Sequence, residues 1–459
     1  MTQKDALDIL KLGHNVYLTG AAGSGKTFLL NHYIDYLKQQ SIAVGITAST
    51  GIAATHMGGV TIHSWSGMGI RDELSPQDIT ELVKRPYLRK HFAKTRVLII
   101  DEISMLHAHQ LDLVDRLCRA FKHTNTPFGG LQVVMCGDFF QLPPVTRAGK
   151  KEETDQPTLF AAEKDRMRDA GMDFVTQSDV WAEMNLQICY LDEQHRQDDR
   201  TFLRVLNEIR NGDVSEDTIE ALTARMDKDI EGYVKPTKLY THNANVDTIN
   251  REQLDALPGE GIEYIMSWRG RLPLVEVLKK SCLAPDILTL KIGAQVMFVK
   301  NNYEIGYVNG TLGEVVNFDS KNQPLVRTFD GAEILVSATS WEVKEENVEM
   351  AAIAQLPLRL AWAITVHKSQ GMSLDAAEID LKRSFIPGMG YVALSRVRSL
   401  KGLKLLGINQ MALQVNPEVA ELDREFVSRS NEAIAYLYAI PPEQKERMQQ
   451  DVLEFWKGR

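Results

Sequence analysis

The chain has 459 residues, 44% hydrophobic and 25% charged, and a formal net charge of −9. Such a composition fits soluble globular protein in about two to four domains and excludes low-complexity, collagen-like and membrane-spanning classes. The acidic balance tells against a surface coated with nucleic acid on all sides, but leaves room for a local basic groove.

The first ten residues, MTQKDALDIL, have an early acid and no apolar core, so they read as neither a signal nor a transit peptide. From residue 15 strands and helices alternate. A short β-prone run at 15–19 precedes a helix at 26–39 with apolar spacing through Phe28, Leu29, Tyr33 and Leu37. Strands are expected at 42–46, 97–100 and 132–136, and a helix at 104–121. Apolar runs that are continuous rather than alternating point to a parallel sheet covered on both faces. Basic residues gather at Lys84, Arg85, Arg89, Lys90, Lys94 and Arg96, and again at Arg396, Arg398, Lys401 and Lys404; a solvated helix face and a loop account for both.

Residues 147–173 are polar and rich in lysine and aspartate, as in a surface insertion. Alternation resumes with a strand at 186–191, helices at 204–211 and 243–257, and a strand at 238–241. Between 260 and 350 short β-rich runs dominate, with Asn309–Gly310 as a turn, which predicts a small β-barrel inserted into a second α/β domain. That domain resumes at 357–366 and continues through 377–381, 391–398 and 404–407. The last residues read as helices without a chemical motif. Cys118, Cys136, Cys189 and Cys282 form no CxxC pair, so neither a zinc site nor a disulfide framework is expected, and a reduced, cytoplasmic setting fits.

The chemistry starts at Gly20-Ala21-Ala22-Gly23-Ser24-Gly25-Lys26-Thr27, a GxxxxGK[ST] loop between a strand and a helix. Glycines let the backbone turn its N–H groups onto phosphates, and the helix N-terminus adds a favourable field. Lys26 is placed to reach the β- and γ-phosphates of ATP, and Thr27 to hold Mg²⁺. Asp101 and Glu102 end the next apolar strand, on the rim shared with the phosphate loop. Asp101 is suited to Mg²⁺ and Glu102 to polarising the attacking water. Gln141, in Gly137-Asp138-Phe139-Phe140-Gln141, ends another strand and can sense the γ-phosphate. To this point the residues specify an NTPase only.

The order of further segments resembles superfamily 1 DNA helicases of the RecD/PIF (petite integration frequency) type. The matching stretches include GAAGSGKT (20–27), ASTGIAA (48–54), GVTIHSW (59–65), IIDEISML (99–106), GDFFQLPP (137–144), LDEQHRQDD (191–199), LKIGAQVMFVKN (290–301), AITVHKSQGMSL (363–374) and GYVALSRVRS (390–399). The resemblance implies an α/β fold of two RecA-like domains with parallel sheets and ATP between them. It assigns 1–66 and 84–185 to the first domain, 67–83 to a small wedge and 186–258 with 351–415 to the second. An SH3-like insertion at 259–350 and a helical tail at 416–459 complete it. It also implies motif arginines at Arg196 and Arg396, aimed from the second domain at the γ-phosphate, and an adenine-reading glutamine at Gln3.

Single-stranded DNA is expected to contact Ser49, Thr50, Gly51, Thr61, His63 and Ser64 in the first domain, and Thr365, His367, Lys368 and Ser369 in the second. Hydroxyls and backbone N–H groups suit phosphate contacts that read no sequence. Trp65, Phe140 and Phe298 are candidates for stacking bases, although core packing is the better account of each ring taken singly. The implied protein unwinds forked duplex DNA, moves 5′ to 3′ and works in replication, recombination or repair, with a single-strand-binding protein among its partners. A nucleoid-associated role in a bacterium or phage follows. A translocase that remodels protein–DNA complexes without unwinding and an RNA helicase remain open alternatives, because no residue here reports on the 2′-hydroxyl.

Overall fold

The computed structural model describes the chain apart from residues 70, 72, 142–173, 193–198, 231, 233–234, 241–245, 303, 346–347, 367–368, 370–371, 385–386 and 459. The expected insertion at 147–173, Arg196, His367 and Lys368 therefore lie outside the described residues.

Six parallel strands make the first sheet: β1 (Val16–Gly20), β2 (Val44–Ala48), β3 (Val60–Thr61), β4 (Val97–Asp101), β5 (Gln132–Cys136) and β6 (Gln187–Leu191), in the order β3-β2-β4-β5-β1-β6. Strands β1, β4 and β5 are buried at every position, as the continuous apolar runs require of a sheet covered on both faces. Because all six run the same way, the segments after them emerge on one rim.

The second domain does not begin at the expected 186. Strand β6 was expected to open the second domain, but it pairs in register with β1 from Val16↔Gln187 to Gly20↔Leu191. The first domain thus extends through Leu191. Pattern alone marks a strand; it does not say which sheet the strand joins.

In the segment expected as a wedge, Pro76–Val83 is a helix with a Ser75–Asp78 capping box. Leu74 and Leu82 are buried with Leu88 and Phe92 of the next helix, Pro86–Lys94. That second helix leaves Arg89 and Lys90 exposed, a solvated face as expected.

The second α/β domain has a smaller parallel sheet, ordered Ala363–Thr365, Thr237–Tyr240, Ala377–Leu381, Leu403–Ile408. The single barrel expected at 259–350 is three pieces. Five antiparallel strands (Gln295–Phe298, Leu312–Phe318, Pro324–Thr328, Glu333–Leu335 and Leu358–Leu360) enclose one core around Val296, Phe298, Val315 and Val326. A separate three-stranded sheet joins Ser267–Gly270, Thr339–Glu345 and Val348–Gln355, with the helix Leu272–Ser281 packed against it through Val275 and Leu278. Ile262–Ile265 and Ile287–Leu290 form a two-stranded ribbon. The insertion therefore contains a helix and runs past 350 to 360. The second domain resumes at Ala363.

The last two helices, Pro417–Ala439 and Pro442–Gly458, are no loose tail. Ala433, Leu437, Leu453 and Trp456 share a buried cluster with Ile9, Leu10, Val16 and Leu18. Polar ties lock the same contact. Arg96 Nε donates to the Trp456 carbonyl at 3.0 Å, and Lys445 Nζ lies 2.8 Å from Asp8. The carboxyl end of the chain thus braces its amino-terminal domain. Cys118, Cys136, Cys189 and Cys282 are all free thiols.

Candidate nucleotide and nucleic-acid site

Strand β1 runs into the phosphate loop through Gly20, which has a φ of 140° and would place a Cβ 2.6 Å from the Leu191 carbonyl oxygen. No other residue fits there. Gly25 precedes the helix Lys26–Gln39 with φ 84° and no side-chain cap, so the first N–H groups of a 14-residue helix face the loop and make an anion site. The Lys26 ammonium donates to the carbonyls of Gly20 at 2.8 Å and Ala21 at 3.0 Å, with Ser24 Oγ at 3.5 Å. Thr27 is exposed in the first turn, and Ser24 is buried. Gln3 stands at the same loop, its Nε2 donating to the Ser24 carbonyl at 3.5 Å. A capping box between Thr2 and Asp5 fixes the helix that starts with Gln3.

At the end of β4, Ser49 gathers the two carboxylate residues: its N–H donates to the Asp101 carbonyl at 3.0 Å and its Oγ to the Glu102 carbonyl at 2.6 Å. The Glu102 N–H donates to Asp101 Oδ1 at 2.9 Å. Glu102 adopts φ 51°, ψ 44°, a left-handed conformation costing about 1–2 kcal/mol for a residue with a Cβ. Some of its surface stays accessible. Burial, then the Asp101 charge, pushes its carboxyl up to about 7, against the opposing pull of Arg396 and Lys26. Burial also raises Asp101, while the Cys136 thiol, the Glu102 N–H and Lys26 hold its charged form.

From the second domain, the buried Arg396 reaches this rim. Its Nη2 donates to Gln141 Oε1 at 3.2 Å and to Ser395 Oγ at 3.1 Å, and its Nε to the Val392 carbonyl at 3.1 Å. Gln141 in turn donates through Nε2 to Asp138 Oδ2 at 3.4 Å. Lys26, Asp101, Glu102, Gln141 and Arg396, scattered over most of the chain, therefore converge on one cleft.

Sequence reasoning missed the polar cluster beside it. Arg210, on the helix Arg200–Asn211, is buried. Its Nη1 lies 2.7 Å from Asp138 Oδ1 and 3.3 Å from the Tyr391 hydroxyl; its Nη2 lies 3.0 Å from Asp423 Oδ1 and 3.3 Å from the Tyr190 hydroxyl. The guanidinium sits 4.1 Å above the Phe140 ring. A signal existed: Arg210 falls on the stripe of Phe202, Leu206 and Ile209, four residues after Leu206, where a helix buries apolar side chains.

The expected strand contacts divide. Thr50 and Thr61 sit on the rim beside β2 and β3, where their hydroxyls accept the N–H groups of Ala53 and Ser64 and start short helices. Gly51, His63, Ser64 and Thr365 are half-buried. Ser369 is a correction: it is fully buried and donates its hydroxyl to the Val366 carbonyl at 2.8 Å, so it shapes a turn and presents nothing to a polynucleotide. The three candidate stacking rings are core as well. Trp65 packs on Phe92 and lies so close to Gly45 that a Cβ there would stand 2.6 Å from its Nε1. Phe140 lies under Arg210, and Phe298 stacks on Tyr307 with centroids 4.2 Å apart.

Residues 2–220 match the PIF1-like helicase family, and residues 274–318 match the 2B domain of the DNA helicase Pif1. The chain is 44% identical to the ATP-dependent DNA helicase Pif1 of Psychrobacter sp. (strain PRwf-1), over 94% of this chain and 72% of that one. It belongs to the PIF1-like helicases. Its likeness to ATP-dependent DNA helicase PIF1 of Xenopus laevis is 37% and takes in 91% of this chain but 63% of that relative's length. Pif1 from Bacteroides sp, solved in complex with ADP-AlF4, superposes with a TM-score of 0.78 at 33% identity, covering 94% of this PIF1-like chain and 97% of that one. The same Bacteroides helicase bound to ssDNA gives a TM-score of 0.62 at 33% identity, with the same coverage. Among the described residues no helix is long and apolar enough to cross a membrane.

Proposed function

We propose that this chain is an ATP-driven DNA helicase that moves 5′ to 3′ on single-stranded DNA and opens forked duplex. The observation that carries the reading is the contact across the cleft: Arg396 of one domain hydrogen-bonded to Gln141 of the other, with its charge acting on Glu102. Such an arrangement makes hydrolysis depend on how the two domains sit, and that dependence is what a motor needs.

In this reading Lys26 and the helix N-terminus hold the β- and γ-phosphates, and Gln3, beside the loop at the Ser24 carbonyl, is the expected reader of the base. Glu102 accepts the proton of a water attacking the γ-phosphorus, and the bond to the ADP oxygen breaks as the new one forms. Arginines aimed at the developing charge are worth about 10³–10⁵ in rate; Arg396 fills that role, and Arg196 is its expected partner. The Thr27 hydroxyl and the Asp101 carboxylate are hard oxygen donors suited to Mg²⁺. That ion, when bound, neutralises phosphate charge in the transition state.

Ser49, Thr50, Gly51, Thr61, His63 and Ser64 on the first domain, with Thr365, His367 and Lys368 on the second, form the track for the DNA backbone. Alternating grip by the two domains through each ATP cycle then yields stepping. The segment 67–83 is the proposed strand-splitting wedge. A single-strand-binding protein and a setting on the nucleoid fit the same activity.

Strand displacement on duplexes with a 5′ or a 3′ tail, with and without ATP, tests this reading. Displacement that needs ATP and the 5′ tail is the expected result. Oligonucleotide-stimulated ATP hydrolysis without displacement on either substrate would instead indicate a translocase, and no stimulation at all would leave only a nucleotide hydrolase.

A further inference from the structure

Arg210 is surrounded by groups from separate parts of the chain, and most of them bear on the nucleotide cleft. Asp138 shares its carboxylate between Arg210, the Phe140 N–H at 3.1 Å and the Gln141 amide. Tyr391, whose hydroxyl receives Arg210 Nη1, also accepts the N–H of Ala22 in the phosphate loop at 3.2 Å. One guanidinium thus joins the phosphate loop to the loop bearing Gln141, and Gln141 is the residue that meets Arg396. The helix carrying Arg210 packs on Met389–Leu394, the helix of Tyr391. Any displacement of Arg210 is therefore felt at both ends of the relay.

A purely structural role accounts poorly for this arrangement. Buried ion pairs add little net stability over apolar side chains of similar volume, and the surroundings are already aromatic. What a buried guanidinium adds, with both terminal nitrogens engaged, is a fixed orientation for its acceptors. We propose that Arg210 is a positioning residue for ATP hydrolysis: it aligns Asp138, and through it Gln141, with Tyr391 and the phosphate loop, and so governs turnover rather than nucleotide affinity. The inference rests on the cleft being the ATP-hydrolysing site of a DNA-stimulated motor.

The test uses the full chain with a poly-dT oligonucleotide. It reads kcat and KM for ATP, the affinity for a fluorescent ADP, and the melting temperature. Misplacement by about 1 Å at a site of chemistry can cost about a hundredfold, so Arg210→Gln is expected to lower kcat by tenfold to about a hundredfold, with ADP affinity within about threefold. Arg210→Lys should recover part of the loss. Tyr391→Phe, which removes one hydroxyl and keeps the ring, should lower kcat about fivefold, and combined with Gln141→Ala should cost less than the product of the two single losses.

A folded Arg210→Gln protein with the parent's kcat overturns the proposal, as does a loss of kcat and ADP affinity in equal measure. Should Arg210→Gln fail to fold, Tyr391→Phe decides, and an unchanged kcat there overturns it. If the unmodified chain shows no oligonucleotide-stimulated hydrolysis, it is the functional reading that fails, before any variant is compared.

Discussion

The two parallel sheets differ in how they are covered. In the first, β1, β4 and β5 are buried at every residue. In the second, Thr237–Tyr240 and Ala377–Leu381 alternate between buried and more accessible positions, and Ala363–Thr365 is three residues long. A sheet sandwiched on both faces holds its strand ends rigidly, and the phosphate loop, Asp101, Glu102 and Gln141 all sit on such ends. Around the second sheet, Arg396 follows the helix Met389–Leu394 and reaches Gln141, while Arg210 on the helix Arg200–Asn211 links Asp138 to Tyr391. The first half supplies the rim of the cleft, and the second reaches it through Arg396, buried and held by hydrogen bonds from Nε and Nη2.

If that division is right, damage to the first rim abolishes chemistry whatever the second domain does. Lys26→Ala should cut DNA-stimulated ATP hydrolysis by about 10³-fold, since it removes a charge fixed on the transferring phosphoryl group. A variant retaining a tenth of the activity would break the comparison. Glu102→Gln should lower kcat by about 10²–10³-fold while leaving nucleotide affinity near the parent value, because only proton acceptance is lost.

Arg396→Ala probes the other half. It should lower kcat by about 10³-fold with nucleotide affinity intact, as equilibrium binding of a fluorescent nucleotide would report.

The pH response sharpens the same contrast. Burial and Asp101 hold the Glu102 carboxyl near 7, so if it is the proposed base, kcat/KM for ATP should rise with pH and level off above about 7. Arg396→Ala should move that inflection upward, because the opposing positive charge is gone. Stability runs the other way. The native state binds this proton more tightly than the unfolded chain does, so the contribution of Glu102 is largest below its unfolded value of 4.5 and is lost as pH rises towards 7. The urea midpoint should lose that fall in Glu102→Gln.

Smaller in its effect on activity, Trp456→Ala should cost about 3–5 kcal/mol of stability yet leave kcat unchanged well below its melting temperature. A large loss of kcat there would tie the C-terminal brace to chemistry.

Much of the first domain was legible because its signals are local. A glycine-rich loop between strand and helix, and two acids after four apolar residues, lie within a few positions of each other. The same holds for Gln141 after β5. What escaped depends on contacts between distant residues. Strand β6 reads as a strand by pattern, but its place beside β1 is set by pairing. The helix Leu272–Ser281 carried a legible spacing in Leu274, Val275 and Leu278 that the surrounding β-rich runs obscured. Three of the four partners of Arg210 lie 72, 181 and 213 residues from it in sequence, and only folding brings them together. Ser369 departs from expectation because residue type suggests chemistry, whereas burial decides whether it is available; the rings of Trp65, Phe140 and Phe298 take the core positions that suit them best singly.

The packing of Leu437, Leu453 and Trp456 onto the amino-terminal domain also sets an order of events at the ribosome. Roughly 240 residues separate the end of β6 from Ala433, a delay of about 12–50 s at 5–20 residues per second. Throughout that interval the apolar flank formed by Ile9, Leu10 and Val16 has emerged without its cover. A nascent chain stalled before the last two helices would therefore present a sticky, half-clad nucleotide domain, which makes translation arrest in this region a route to chaperone capture or aggregation.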